Sequence, residues 1–437
     1  MYSIGIDIGT TSLCGLVLDT ESRRVLKSIT VSNGSEISGV YPWQRCQDPH
    51  VIIGKCCAIL EQLLEEYPHV ETIGVTGQMH GILYCDREGK AISSLYTWQD
   101  ESGNQIREDG EKWSDYLTRL SGYSLATGYG CVTHACNQAW GLVPVGAVKF
   151  CTVHDYLVMH LTGRSAPLCH ATDAASLGCY DLEKQCFDPE AVKRIGIEAS
   201  MLPESTDDRT CAGTYRGIPV YTAIGDNQAS FLGAVKDVRD SVLVNIGTGS
   251  QVSVMADRPV KAAHAETRPF LKGSFLMVGA SLCGGRAYAA LEKFFRTYAQ
   301  ALGVEGSQYE LLGKLSQDAL SIPKEQRLQV STLFCGTRAD SRIRGSIGNI
   351  SLENLTPGHL IAGFLEGTVE ELHGFYREAE PLLGRKVSKV VGSGNGLRKN
   401  LLWQRITGEI FGMELEMSDV PEEAACGAAI FASGIAE

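Results

Sequence analysis

The sequence lacks long apolar runs, blocks of basic residues and a basic N-terminal segment followed by an apolar stretch. No uninterrupted apolar segment approaches the roughly 18 residues that span a bilayer. The formal net charge is −12, and Lys and Arg do not cluster. Because nucleic acids and anionic membranes are bound through basic patches, we expect neither as a partner. The N-terminal pattern also predicts no secretory signal.

Paired-cysteine motifs are absent as well. The chain has 15 cysteines, an odd number, and none are spaced as Cys-x-x-Cys. This pattern favours neither a disulfide framework nor a zinc ribbon. Reduced thiols are typical of a reducing compartment, so we expect a cytoplasmic protein.

Residues for packed cores are plentiful. The chain has 437 residues, of which 44% are hydrophobic and 21% charged. This length predicts two to four domains. A polar, turn-rich segment, residues 207–219, precedes an aliphatic strand at 220–224. We therefore predict an N-terminal domain over 1–217 and a C-terminal domain over 218–437.

Two distant segments, 4–12 and 243–250, share one unusual pattern. Each is an aliphatic strand that breaks at glycine and continues into hydroxyl residues. Glycine lets the backbone approach an anion, and successive N–H groups and hydroxyls then bind phosphate. Either segment alone is also compatible with an ordinary hairpin loop. Their repetition favours two similar domains that share one nucleotide.

Three further segments place polar side chains at the ends of predicted strands. They are Gly-Gln-Met-His-Gly at 77–81, Thr-Trp-Gln-Asp at 97–100 and Gly-Asp-Asn-Gln at 225–228. Each residue also has a structural interpretation: Asp100 and Asp226 as helix N-caps, Trp98 as core packing and His80 as a buried structural histidine. Strands followed by helices predict an α/β sheet with functional groups in the turns.

A third glycine-rich loop, residues 390–400, precedes an amphipathic helix at 401–411. It matches neither a Walker A motif nor the GxGxxG fingerprint. Small residues at 424–432 predict a tightly packed terminal helix.

Taken together, these segments resemble the FGGY carbohydrate kinases, a family in the actin-like fold group, over essentially the whole chain. The resemblance implies two actin-like, ribonuclease H-like α/β domains with a nucleotide and sugar cleft between them. It implies ATP and Mg²⁺ as cofactors and Asp226 as the catalytic base. The remaining implied roles are phosphate binding by Gly9, Thr10, Thr11, Gly247 and Thr248; adenosine binding by Gly392, Gly394 and Asn395; sugar binding by Gln78, Met79, His80, Trp98, Asp100, Asp226 and Asn227; and Mg²⁺ binding by Asp7 and Asp226.

The resemblance is strongest to the ketose-kinase branch, through residues 75–81, 126–133, 152–156, 171–176 and 223–226. It implies ATP-dependent phosphorylation of the terminal hydroxyl of a ketose, foremost the seven-carbon sugar sedoheptulose. The segment 134–136 and Thr368 depart from the family pattern. Two alternatives remain: a kinase for a five-carbon ketose such as xylulose or another polyol, and a nucleotide-gated actin-like structural or regulatory protein. A homodimer also stays open.

Overall fold

The computed structural model describes residues 1–316, 323–337, 340 and 342–435. The chain forms two compact units. The first comprises 1–233, 268–274 and 420–437, and the second comprises 234–267 and 275–419.

The first unit is built on a mixed sheet with its strands in the order Cys211–Tyr215, Ile218–Tyr221, Val70–Gly77, Tyr2–Ile8, Ser12–Asp19 and Arg24–Ser32, and Ile224–Gly225 also pairs with Val70–Gly77. Its strands are β1 Tyr2–Ile8, β2 Ser12–Asp19, β3 Arg24–Ser32, β4 Glu36–Ser38, β5 Arg45–Gln47, β6 Val70–Gly77, β7 Leu83–Cys85, β8 Leu95–Tyr96, β9 Lys149–Cys151, β10 Leu168–His170, β11 Tyr180–Asp181, β12 Cys186–Phe187, β13 Glu204–Thr206, β14 Cys211–Tyr215, β15 Ile218–Tyr221 and β16 Ile224–Gly225. Its helices are α1 Pro49–Glu66, α2 Trp113–Ser121, α3 Gly130–Ala139, α4 Val153–Thr162, α5 Ala171–Leu177, α6 Pro189–Arg194 and α7 Asp226–Ala234.

Helix α1 shows how local sequence sets an element. Asp48 caps it by accepting a hydrogen bond from the His50 amide at 2.8 Å. Pro49 occupies the first turn, where its missing N–H costs nothing. Ile52 and Leu63, on the apolar face, are fully buried in the core that includes β1.

The second unit contains a sheet with its strands in the order Phe275–Ser281, Ser250–Ala256, Ser241–Ile246, Lys389–Ser393 and Leu415–Met417. The strands in this part of the chain are β17 Ser241–Ile246, β18 Ser250–Ala256, β19 Glu266–Pro269, β20 Phe275–Ser281, β21 Gln329–Ser331, β22 Ser346–Gly348, β23 Lys389–Ser393 and β24 Leu415–Met417. The helices are α8 Gly285–Ala301, α9 Tyr309–Leu315, α10 Pro357–Ala379, α11 Gly394–Arg398 and α12 Leu401–Phe411.

The last helix, α13 Glu423–Ser433, belongs to the first unit. It packs backbone to backbone on the main sheet. A Cβ atom on Gly5 would lie 1.8 Å from the carbonyl oxygen of Ala425, and one on Gly74 would lie 2.0 Å from that of Ala428. The predicted tight packing of this small-residue helix is confirmed.

The division between the units differs from the predicted boundary at 217. The first unit runs to Gly233 before the chain leaves it. The reason is strand pairing, since β15 and β16 both bind β6 in parallel. Asp226, which we expected in the C-terminal domain, therefore follows a strand of the first unit's sheet. Among the described residues, no helix is both long and apolar enough to cross a membrane.

Candidate active site

Two carboxylates flank the carboxyl end of β6. Asp7 in β1 lies opposite Thr76, and Gly225 in β16 lies opposite Gly77 on the other side of the same strand. Asp226 follows Gly225 as the first residue of α7. Because β1, β6 and β16 are parallel, their carboxyl ends meet at one edge of the sheet. Register alone therefore brings together two residues 219 positions apart.

The environment of these carboxylates disfavours their charge. Burial raises the pKa of Asp7 to about 8, and the negative charges of Asp226 and Glu422 act in the same direction. Burial raises the pKa of Asp226 to about 6, although the positive charges of His154 and Arg268 oppose this. Among the described residues, the buried Oδ1 atom of Asp7 has no hydrogen-bond partner. A bound cation would favour the charged form of both carboxyl groups.

The predicted first phosphate loop contains Gly9, Thr10 and Thr11. The Thr10 hydroxyl accepts a hydrogen bond from Trp98 Nε1 at 2.9 Å and contacts Gln78 Oε1 at 3.4 Å. Thr11 is exposed, whereas Thr10 is only partly accessible. Side chains from two other segments therefore fix the position of Thr10 in this loop.

Gln78 and Trp98 differ in their availability to a ligand. Gln78 is buried, and its amide nitrogen donates to Gln47 Oε1 at 2.8 Å, while Gln47 in turn donates to the Thr10 carbonyl at 2.8 Å. Trp98 is 46% exposed. Gln78 thus supports the loop through Gln47, and Trp98 presents an aromatic surface to solvent.

His80 has an unusual backbone conformation, with a φ of 77°. Its Nδ1 lies 2.8 Å from the carbonyl oxygen of Ser176, and its amide donates to the Ser176 hydroxyl at 3.2 Å. The ring stacks on Tyr129 with centroids 4.5 Å apart. Left-handed backbone in a residue other than glycine is typical of functional sites, and here α5 holds it in place.

The other predicted sugar-binding residues lie in the same unit. Met79 is buried, with its sulfur 2.7 Å from the position a Cβ atom on Gly225 would occupy. Asn227 Oδ1 accepts a hydrogen bond from Arg268 at 3.4 Å. Asp100 is fully buried: its Oδ1 accepts from the Ser102 amide at 2.9 Å, and its Oδ2 has no partner among the described residues. Burial raises the pKa of Asp100.

A cavity of about 550 Å³ adjoins the first phosphate loop. Thr10, Thr11 and Trp98 line it together with the segment 36–47. That segment was not predicted as part of a site, because its short strands carry no motif and no clear alternation.

The second unit contains a cavity of about 820 Å³ beside the second phosphate loop. The predicted Gly247, Thr248 and Asn395 line it. Other lining residues, which the sequence analysis missed, include Gly285, Arg286, Tyr288, Tyr309, Lys314, Lys399 and Asn400. Tyrosine rings beside glycine loops and three cationic side chains are suited to a nucleoside with an anionic tail.

Gly392 and Gly394 are not among the residues lining this cavity. A Cβ atom on Gly394 would lie 2.5 Å from the Ile246 carbonyl oxygen, and one on Gly392 would lie 2.8 Å from the Met417 sulfur. Asn245 donates to the Ser393 hydroxyl at 2.7 Å. Gly394 therefore lets the third loop approach β17 closely, and Gly392 leaves room for Met417 of β24.

A buried ion pair that was not predicted lies close enough to Asp226 for the charge of its histidine to lower the pKa of that carboxyl. His154 Nε2 on α4 lies 2.9 Å from Asp173 Oδ1 on α5, and both side chains are fully buried. Burial lowers the pKa of His154, but the charge of Asp173 and its hydrogen bond outweigh this and raise it to about 9. No sequence pattern pairs these residues, because each looks like part of an ordinary helix.

The chain is similar to known proteins over most of its length. Residues 2–233 match the N-terminal domain and residues 242–434 the C-terminal domain of the FGGY family of carbohydrate kinases. The sedoheptulokinase of Mus musculus is 29% identical over 91% of this chain and 90% of its own length. The xylulose kinase structure from Rhodospirillum rubrum superposes with a TM-score of 0.83 at 20% identity, covering 100% of this chain and 90% of that one. The glycerol kinase of Plasmodium falciparum with ADP gives 0.79 at 17% identity, with 98% and 88% covered.

The fold defines a class, the two-domain α/β kinases of the actin-like group, and confirms the expected fold class. The chain belongs to the FGGY family of carbohydrate kinases, since its two domains account for nearly the whole sequence. It is thus an enzyme that transfers a phosphoryl group to a carbohydrate.

Proposed function

We propose that this enzyme uses ATP to phosphorylate the terminal hydroxyl of a ketose, and that its preferred substrate is sedoheptulose, giving sedoheptulose 7-phosphate. The observation that carries the proposal is the pair Asp7 and Asp226 on either side of β6, next to a preformed phosphate loop. The seven-carbon preference is supported by the sedoheptulokinase relatives, which match most of the chain.

Asp226 is the proposed general base. Phosphoryl transfer passes through a loose transition state, in which the attacking hydroxyl becomes acidic late and a carboxylate then accepts its proton. Asp226 begins α7 and remains partly accessible to solvent. The position at the end of a strand is typical of reactive groups in α/β proteins.

The residues present fit a magnesium ion bound with the nucleotide. Asp7 carries a buried oxygen without a hydrogen-bond partner among the described residues, and Asp226 adds a second carboxylate. Mg²⁺ typically takes one or two carboxylates plus substrate phosphates. Asp7 would hold the ion, with Asp226 sharing it, and the ion would neutralise charge on the transferred phosphoryl group.

For the nucleotide, the cavity of the second unit is the proposed adenosine site. Gly247 and Thr248 would bind phosphate, Asn395 the adenosine, and Tyr288 would supply an aromatic wall. The predicted roles of Gly392 and Gly394 become indirect, since both shape the loop that carries Asn395. In the first unit, Gly9, Thr10 and Thr11 are the proposed phosphate contacts.

For the sugar, the proposed contacts are Met79, His80, Trp98, Asp100 and Asn227. His80 Nδ1 faces a carbonyl oxygen and therefore carries the proton in a neutral ring. Asp100 retains one oxygen without a partner among the described residues. Buried polar groups of this kind select hydroxyl-bearing substrates, because a ligand that leaves them unpaired binds poorly. Gln78 supports the site through Thr10.

The test is ATP consumption across a panel of ketoses and polyols, with mass spectrometry of the products. We expect sedoheptulose to give the highest kcat/KM and a product phosphorylated at its terminal carbon. A clear preference for xylulose would move the assignment to a five-carbon ketose kinase. ATP binding without transfer to any sugar or polyol would contradict the proposed reaction.

A further inference from the structure

Two side chains of helix α5 contact the proposed sugar site, one next to the proposed base Asp226 and the other at His80. The Thr172 hydroxyl accepts a hydrogen bond from the Gly225 amide at 3.1 Å. The Ser176 hydroxyl accepts from the His80 amide at 3.2 Å, and the Ser176 carbonyl faces His80 Nδ1 at 2.8 Å. Residues four apart lie on the same face of a helix, so one face reaches both partners.

These contacts stand where small displacements matter. Gly225 immediately precedes Asp226, so the Thr172 hydroxyl fixes the turn that aims this carboxylate. His80 has left-handed backbone, which persists only when its surroundings hold it. Thr172 and Ser176 are themselves buried.

A buried ion pair and a contact with His170 hold α5 in place. Between Thr172 and Ser176, Asp173 forms the fully buried ion pair with His154 of α4, at 2.9 Å. The Thr172 hydroxyl also lies 3.0 Å from His170 Nδ1. A buried charged contact resists displacement, because separating it would leave an uncompensated charge. α5 is thus attached to α4 through Asp173 and to the proposed site through Thr172 and Ser176.

Resting on the proposed function, we propose that α5 is a positioning element that sets the spacing between the base and the acceptor-binding histidine. Thr172 positions Asp226, and Ser176 positions His80. Neither residue contacts the reacting atoms in this arrangement. Thr172 acts on the transition state through the base, and Ser176 acts on acceptor binding through His80.

This assignment predicts opposite kinetic signatures for two variants of one helix. Thr172→Val keeps the side-chain shape but removes the acceptor for the Gly225 amide. We expect kcat to fall between about 10- and 100-fold, the range for a misplaced catalytic group, with KM for the ketose little changed. Ser176→Ala should instead raise KM for the ketose about tenfold and largely preserve kcat. KM for ATP should stay unchanged in both.

Two controls separate positioning from folding. Thr172→Ser retains the hydroxyl and should restore kcat to near the wild-type value. Thr368→Val removes another buried threonine hydroxyl, which bonds the Phe364 carbonyl oxygen at 3.0 Å in α10, and should leave both parameters unchanged. Thermal unfolding and circular dichroism are recorded for every variant.

Parallel losses in Thr172→Val and Ser176→Ala, with kcat and KM changing together, would overturn the proposal. So would a Thr172→Ser variant as slow as Thr172→Val. The wild-type rate with the ketose panel is measured first and tests the proposed function separately. If another acceptor is phosphorylated, the same four variants are compared with that acceptor.

Discussion

At the residue scale, the site combines carboxylates whose charge is disfavoured with partners that hold them in place. Burial raises the pKa values of Asp226 and Asp7, and the charge of Asp226 raises that of Asp7 further. Asp100 is buried more deeply and uses one oxygen for a turn. Asp100 therefore has a structural role besides its proposed functional role, and substitutions can separate the two.

Asp226→Asn preserves size and removes the proton acceptor. We expect turnover to fall by roughly 10²–10⁴, as for the loss of a general base, with little change in thermal stability. Sugar affinity should survive. Steady-state kinetics, thermal unfolding and sugar binding are measured on the same variant. Asp237→Asn, an exposed aspartate that accepts from two backbone amides, is the matched control. A variant that keeps most of its turnover would remove Asp226 from the chemistry.

Asp100 can be tested by comparing two substitutions. Asp100→Ala should raise KM for the ketose about tenfold or more, because a buried hydroxyl partner is lost, while KM for ATP stays constant. Asp100→Asn retains an acceptor for the Ser102 amide and serves as the control for the turn. If Asp100→Ala lowers the melting temperature but leaves KM for the ketose unchanged, its role is confined to the turn.

The His154–Asp173 pair makes stability depend on pH. The pKa of His154 is raised to about 9 from its ordinary 6.5, so the folded state binds a proton that the unfolded state releases between these values. This stabilisation is complete below pH 6.5 and is lost as the pH rises through 9. We expect the stability advantage of wild type over His154→Gln/Asp173→Asn to be largest near pH 6 and to shrink by pH 10.

Chemical denaturation of the ligand-free protein across this pH range measures that advantage. Titrating groups far from the pair are common to both proteins and cancel in the difference, whereas Asp7, Asp155 and Asp226 interact with His154 and contribute to it. An advantage that stays constant from pH 6 to pH 10 would show that His154 does not carry the extra proton.

At the element scale, periodic segments were predictable and short ones were not. Helix α12 spans the predicted 401–411, and helix α1, Pro49–Glu66, is similarly periodic. Both have an apolar face several turns long. α5 has seven residues and β16 has two, which are too few to show helical or strand periodicity in the sequence. Their positions follow from pairing with distant segments, which local sequence does not encode.

The glycine loops of the second unit give the element-scale prediction. A Cβ atom on Gly285, the first residue of α8, would lie 2.0 Å from the Gly247 carbonyl oxygen. We expect Gly285→Ala to displace the second phosphate loop and weaken ATP binding at least about tenfold, equivalent to roughly 1.4 kcal/mol. Isothermal titration with ATP and Mg²⁺ measures this.

Gly374→Ala in α10 is the matched control, since its Cβ would meet no atom within 4 Å. Alanine is the better helix former, so this variant should be slightly more stable and bind ATP normally. Equal ATP affinity in both variants would show that the second phosphate loop tolerates displacement or does not bind the nucleotide.

At the scale of the whole molecule, the family could be predicted from the sequence, and the two glycine loops and the segments around 77–81, 97–100 and 225–228 could be marked as candidate sites. These signals are local, because a strand, a glycine break and a hydroxyl or carboxylate lie within a few consecutive residues. Local patterns of this kind survive without knowledge of the fold.

The tertiary structure decided what depends on pairing between distant segments. β16 adds to β6 and carries Asp226 into the first unit, so the units divide after Gly233 and not at 217. α4 and α5 bring His154 against Asp173, and α5 brings Thr172 to Gly225, next to Asp226, and Ser176 to His80. Parallel pairing and helix packing are long-range contacts that one sequence does not reveal, and they arrange residues whose chemistry the sequence had already supplied.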